Sequence, residues 1–214
     1  MTIDRRTIAT AVIALTIYGA YTSPCEGQQG SESRTQLPAV IKYDGDMAFM
    51  LAHVTEIYGA TIGLEVDPQQ PRSRVSFYLR DPTLADVLNA IVQSASRYQW
   101  HNSGGFIEIM PLHGSSPFLD TIIRNFRIDN VDEREAIKQL VLLPEVQASM
   151  AAMSLSRQDL GEAATDKKGE KISIRLESVT LRQALNIVAK QTGTRFWVFS
   201  SDGKGRFSIT NSPR

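Results

Sequence analysis

Apolar residues recur along this chain at two spacings, and the switch between them predicts the elements. Met47, Met50, Leu51, Val54, Ile57 and Tyr58 fall three or four apart, on one face of a helix. Asp46 precedes that run as an N-cap, its carboxylate able to accept from the unpaired first-turn amides. Gly59 closes it, because glycine enters the left-handed region without a Cβ clash. At Val75, Phe77 and Leu79 the period drops to two, with Ser76, Tyr78 and Arg80 between, the mark of a strand with one buried face. Asp81-Pro82-Thr83 then opens a helix with Leu84, Val87, Leu88, Ile91 and Val92 on its inner side. Short strands are expected at 38–43 and 61–66, a turn at 67–71, and a hairpin of 98–101 with 106–110 around Asn102 to Gly105. The order is βαββαββ and ends near Leu112.

The text then repeats. Val75 to His101 and Ile172 to Val198 align without a gap, 97 positions apart. They share Ser76/Ser173, Leu79/Leu176, Thr83/Thr180, Leu84/Leu181, Leu88/Leu185, Asn89/Asn186 and Trp100/Trp197. Such self-similarity indicates one supersecondary unit used twice. The expected fold is therefore α+β: two tandem small βαββαββ-type modules, each with two helices packed on small mixed sheets. The first spans 38–112 and the second 121–211, with 113–120 as linker. In the second, 122–131 reads as a strand, Asp132 caps a helix to about Leu143, Thr180 caps a helix over 181–191 stopped by Gly193, and 195–199 with 206–210 form a hairpin around Ser201 to Gly205. The rhythm breaks at 147–171, read as an insertion. Its tip, Ala163 to Gly169, is too rich in small and charged residues to bury enough surface to fix a conformation.

Composition narrows the function classes. At 42% hydrophobic and 21% charged the chain is ordinary globular material. Lys+Arg and Asp+Glu are both 23, and the balance survives removal of residues 1–27, where Asp4 and Glu26 offset Arg5 and Arg6. Nothing supplies the basic field that neutralises a run of phosphates, which argues against a nucleic-acid partner. The single cysteine, Cys25, permits no intramolecular disulfide and no cysteine-based metal site by itself.

Asp4-Arg5-Arg6 precedes an apolar run from Thr7 to Tyr21, followed by Pro24, Cys25 and a polar stretch. That is the layout of a secretory signal peptide, expected over 1–27 with cleavage after Gly27 and a flexible linker at 28–37. Residues 7–21 fall short of the about 20 apolar residues of a spanning helix, so an uncleaved, tilted anchor is the alternative. Lipidation of Cys25 is a third option, poorly matched by Thr22-Ser23-Pro24. In each case the remainder is extracytoplasmic.

No catalytic constellation emerges. His53, His101 and His113 fall mid-helix, at a strand end and in the linker, whereas a zinc site needs three or four convergent donors. There is no G-x-S-x-G elbow. Asp129, Asp132, Glu133 and Glu135 suit helix capping and first-turn dipole placement. Lys167-Lys168-Gly169-Glu170-Lys171 reads as a solvated loop, and Gly203-Lys204-Gly205 as a hairpin turn rather than a phosphate loop. The expectation is a non-enzyme with no cofactor and no metal. Trp100 and Trp197 are read as a shared core position, with an exposed sugar-stacking pair as the alternative. Arg206 to Thr210, with Arg206, Ser208 and Thr210 among its polar positions, is read as an exposed edge strand to which a partner strand could add.

Three stretches carry a resemblance: DMAFMLAHVTEIYGATIGLEV; VSFYLRDPTLADVLNAIVQSASRYQWH with FIEIM; and ISIRLESVTLRQALNIVAKQTGTRFWV with RFSIT. With Leu181-Arg182-Gln183-Ala184-Leu185 and Leu84-Ala85-Asp86-Val87-Leu88 opening their helices, the chain resembles the secretin and TonB short N-terminal (STN) domain family, in two tandem copies. The resemblance implies small α+β sandwiches in a bacterial envelope, facing the periplasm and docking other proteins. Neither an outer-membrane barrel nor a secretin pore region follows before Arg214, so pore formation and transport are not expected. The functional expectation is a periplasmic protein–protein interaction or adaptor module, accessory to a secretin, pilus or TonB-dependent system, with unidentified envelope proteins as partners. The membrane is involved only through an uncleaved N-terminal segment. The alternative is a self-assembling ring or stack of the envelope.

Overall fold

The computed structural model describes residues 38–157 and 170–210. Segment 1–37, with the expected signal peptide, Cys25 and linker, lies outside the described residues, as do 158–169 of the expected insertion and 211–214.

The first half runs β1 (Val40–Asp46), α1 (Met47–Tyr58), β2 (Thr61–Glu65), β3 (Arg74–Arg80), α2 (Leu84–Ser94), β4 (Tyr98–Ser103) and β5 (Phe106–Pro111). After a 3-10 turn, η1 (Pro117–Asp120), come β6 (Ile122–Val131), α3 (Glu133–Val141), α4 (Pro144–Ala152), β7 (Ser156–Arg157), β8 (Ile172–Thr180), α5 (Leu181–Gln191), β9 (Phe196–Ser201) and β10 (Arg206–Thr210). The fold is α+β.

Local chemistry explains the helix starts. The Asp46 carboxylate accepts from the Ala48 amide, and Gly59 follows α1 at φ 64°. Thr83 and Asp86 cap α2 reciprocally, as Thr180 and Gln183 cap α5, each pair satisfying two orphan amides. Two residues before each threonine the backbone turns left-handed, at Asp81 (φ 44°) and Ser178 (φ 53°). The repeat thus extends to the backbone.

Three boundaries differ from expectation. Asp44 to Asp46 stay in β1 because Gly45 and Asp46 pair with Val75 and Arg74 of β3. Residues 144–152, partly inside the expected insertion, form α4: Pro144 is pre-set for the first helical position, and Val146 and Met150 reach the core. Within the expected linker, Phe118 and Leu119 of η1 are fully buried, and the Phe118 ring packs, tilted, against Phe207 at 4.8 Å between centroids.

The two halves do not keep separate sheets. Beside two antiparallel ribbons, β1–β3 and β6–β8, one six-stranded sheet runs β4-β5-β2-β9-β10-β7 and takes three strands from each half. Its neighbours are antiparallel (β4/β5), parallel (β5/β2), parallel (β2/β9), antiparallel (β9/β10) and parallel (β10/β7). Successive side chains of a strand point to opposite faces, and β9 uses both. Phe196 and Val198 join Ile62, Leu64, Ile107 and Ile109 in the first core, while Trp197 and Phe199 join Phe207 and Ile209 in the second. Each half therefore covers a different face of the shared sheet, and β9 is cemented into both cores. The order β4-β5-β2 recurs as β9-β10-β7 with direction and face reversed. A half-turn about the lateral axis of the sheet, plus a shift of three strands, relates the two triplets.

Candidate functional site

The junction of β2 with β9 shows what this fold does with an open strand edge. Ile62, Gly63, Leu64 and Glu65 lie beside Phe196, Trp197, Val198 and Phe199 in parallel register. The Trp197 indole crosses onto β2 at Gly63, where an added Cβ would meet its Cζ2 at 2.3 Å and its Cε2 at 2.4 Å. Glycine in a strand interior marks such a close approach. The ring is fixed from the other side. Trp197 Nε1 donates to Asn186 Oδ1 of α5 at 2.7 Å, and Asn186 Nδ2 donates to Glu108 Oε1 of β5 at 3.2 Å.

Along the same joint, Arg182 Nη2 donates to Glu65 Oε2 at 3.0 Å, with side chains only 7% and 5% exposed. Ser115 Oγ and the Ser116 amide also donate to Glu65, and Arg182 donates to Ser115 Oγ. Desolvation offsets much of such a pair's attraction, so it is costly to break rather than a large net gain. Outside the sheet, Arg195 Nη1 donates to the Gly59 carbonyl at 2.9 Å.

β4 holds the place in the first triplet that β9 holds in the second, and among the described residues no strand pairs with its outer side. It carries the same device. Trp100 Nε1 donates to Asn89 Oδ1 of α2 at 3.0 Å, matching the Trp197–Asn186 bond. Trp197 is 1% exposed, whereas Trp100 is only half-buried, and His101, Asn102 and Ser103 are exposed. Trp197 is in the second core, and Trp100, on the sheet's last strand on that side, packs partly buried against the first.

The expected edge strand is not the end of the sheet. β10 lies between β9 and β7, with Arg206 and Phe207 in parallel register with Ser156 and Arg157. Ser208 is buried and its Oγ lies 2.8 Å from Ser200 Oγ. The reason is α4, which turns the chain so that β7 returns onto β10; among the described residues the sheet ends at β4 and β7. Sequence reasoning expected β4 as a hairpin strand but did not single it out as a sheet edge.

The other residues singled out do not converge. His53 Nδ1 lies 3.2 Å from Glu56 Oε2 on the surface of α1, and His101 and His113 are exposed on separate segments. Asp132 caps α3, Asp129 accepts from Ser173 Oγ at 2.6 Å, Glu133 accepts from Thr194 Oγ1 at 2.8 Å, and Glu135 accepts from Gln139 at 3.0 Å. Among the described residues, no group of three or more histidine, cysteine or acidic side chains could hold a metal ion. Lys167 and Lys168 lie outside the described residues; Lys204 belongs to the β9–β10 turn, which Asp202 organises. Asp202 accepts from the Lys204 and Arg206 amides and from Arg206 Nε, and these donors hold its carboxyl down to about 2. No helix among the described residues is long and apolar enough to cross a membrane.

Fold and site together define an α+β protein whose halves share one sheet and whose outer strand β4, unpaired on one side among the described residues, carries the tryptophan–asparagine bond of the joining strand. No family model and no curated protein matches the chain.

Proposed function

We propose that this chain is a non-enzymatic, extracytoplasmic protein–protein interaction or adaptor module of the bacterial cell envelope, accessory to a secretin, pilus or TonB-dependent system. The observation that carries the reading is the outer side of β4, open among the described residues, a row of backbone donors and acceptors beside a half-buried tryptophan. Strand addition at such an edge is a general way for small sheets to recruit a partner. The resemblance of both repeated stretches to STN domains supports the docking role and the envelope, and the signal-peptide layout of residues 1–27 supports export to the periplasm. The test is photo-crosslinking in intact cells from a reactive group at His101, followed by affinity recovery and mass spectrometry. A secretin, pilus or TonB-linked component is the expected product; crosslinks to cytoplasmic proteins alone would overturn the reading.

One observation favours a second reading, self-assembly. The halves join head to tail, and a head-to-tail contact whose operation does not close generates open arrays. That reading expects discrete or growing oligomers of the purified protein in sedimentation analysis, and only itself among the crosslinks.

A further inference from the structure

We infer that β4 is a selective docking edge for a parallel strand of another polypeptide that presents a glycine beside Trp100. The inference rests on the adaptor reading above and names the chemistry of its partner.

The β2–β9 joint is the template. There, the strand received by β9 runs parallel to it and places Gly63 under the Trp197 indole, with no room for a Cβ. In the first half the equivalent indole makes the equivalent hydrogen bond, Trp100 to Asn89, which sets it in the matching pose. Its benzo edge then overhangs the position next to β4 that β2 fills next to β9. A strand arriving there meets the same requirement for glycine. Trp197 is 1% exposed with β2 beside it, and Trp100 is partly buried with, among the described residues, no strand on that side.

The differences between the two edges define the rest of the partner. Phe196 and Val198, which flank Trp197 and pack on Ile62 and Leu64, are replaced by Gln99 and His101. The residues flanking the partner's glycine are therefore polar rather than aliphatic. Ala85 stands where Arg182 does, so no cation awaits a carboxylate equivalent to Glu65. The partner strand is a polar segment with one central glycine and no carboxylate two residues after it.

β2 is not the strand that a second copy would offer. β2, with its glycine, is already paired on both sides, by β5 and β9. A different polypeptide is the occupant that fits.

The probe is the heptapeptide Thr-Thr-Thr-Gly-Thr-Thr-Thr and its central valine counterpart, titrated into the isotope-labelled protein and followed by NMR. The expected result is selective movement of the Trp100 indole N–H and of the Gln99 to Asn102 amides by the glycine peptide, with affinity at least ten-fold weaker for valine. Asn89→Ala, which frees the indole to swing away, should reduce that discrimination while leaving the rest of the spectrum unchanged. Trp100→Ala should abolish it. Equal binding of the two peptides, shifts away from β4, no binding at millimolar peptide, or concentration-dependent broadening of β4 without peptide would each overturn the inference. In cells, an envelope protein still captured by the Trp100→Ala variant would sink this inference and leave the adaptor reading standing.

Discussion

Replacing Gly63 with alanine places a methyl group 2.3 Å from Cζ2 of Trp197, well inside van der Waals contact. Neither partner has an easy way out. β2 is held between β5 and β9, and the indole is 1% exposed and hydrogen-bonded to Asn186, which is itself tied to Glu108. Overpacking of a filled core costs about 1–3 kcal/mol. If the ring is pushed off Asn186, two buried polar groups lose their bond, which costs about 1–3 kcal/mol more. Alanine regains about 0.5–1 kcal/mol through its smaller loss of backbone entropy. The expected net loss is roughly 2–4 kcal/mol, a drop in Tm of roughly 5–15 °C for a chain of this size. Urea denaturation and calorimetry measure it. A double-mutant cycle with Trp197→Phe isolates the contact and should show a coupling of about 1 kcal/mol or more. Tryptophan emission should also move to longer wavelength in Gly63→Ala, because the displaced ring meets water. If Gly63→Ala stays within about 0.5 kcal/mol of the parent, or the cycle is additive, the glycine is not a notch for the indole and the template for β4 falls with it.

Three further outcomes follow from the same structure. Arg182→Ala leaves the buried Glu65 carboxylate with only Ser115 and Ser116 as donors and should cost about 3–5 kcal/mol by chemical denaturation, whereas the joint replacement Arg182→Met with Glu65→Leu should recover most of it. Asp202 has its carboxyl lowered from 3.8 to about 2 in the folded state, so its contribution is fully present above pH 3.8 and is lost as pH falls through about 2. Asp202→Asn should accordingly be less stable than the parent at neutral pH, with the difference shrinking over that acid window in pH-dependent unfolding. Thr180→Ala removes the capping-box hydroxyl of α5 and should destabilise by about 1 kcal/mol in urea, with Thr180→Ser restoring most of the loss.

What was legible in the sequence was local. Period-three-and-four runs gave α1, α2 and α5; period-two runs gave β3 and β8; and Asp46, Thr83, Asp132 and Thr180 marked helix starts because a cap is chosen by the few amides next to it. The recurrence at 97 positions signalled two similar units, since packing residues must repeat when their surroundings do. Residues 144–152 were misread because the Ala/Met/Ser composition of α4 carries little periodicity, and its helix is held by Pro144 and by burial of Val146 and Met150.

The sequence by itself determined the elements other than η1, α4 and β7, their α+β order and the residues that repeat. Only the tertiary structure decided that the halves share one sheet, that β7 pairs with the start of β10, and that among the described residues no strand covers the outer side of β4. Those outcomes depend on which edge meets which, and that is set by contacts between residues far apart in the chain: Gly63 under Trp197, Glu65 against Arg182, and Glu108 against Asn186. A lone glycine in a strand and a lone asparagine in a helix carry no signal until the fold places an indole between them.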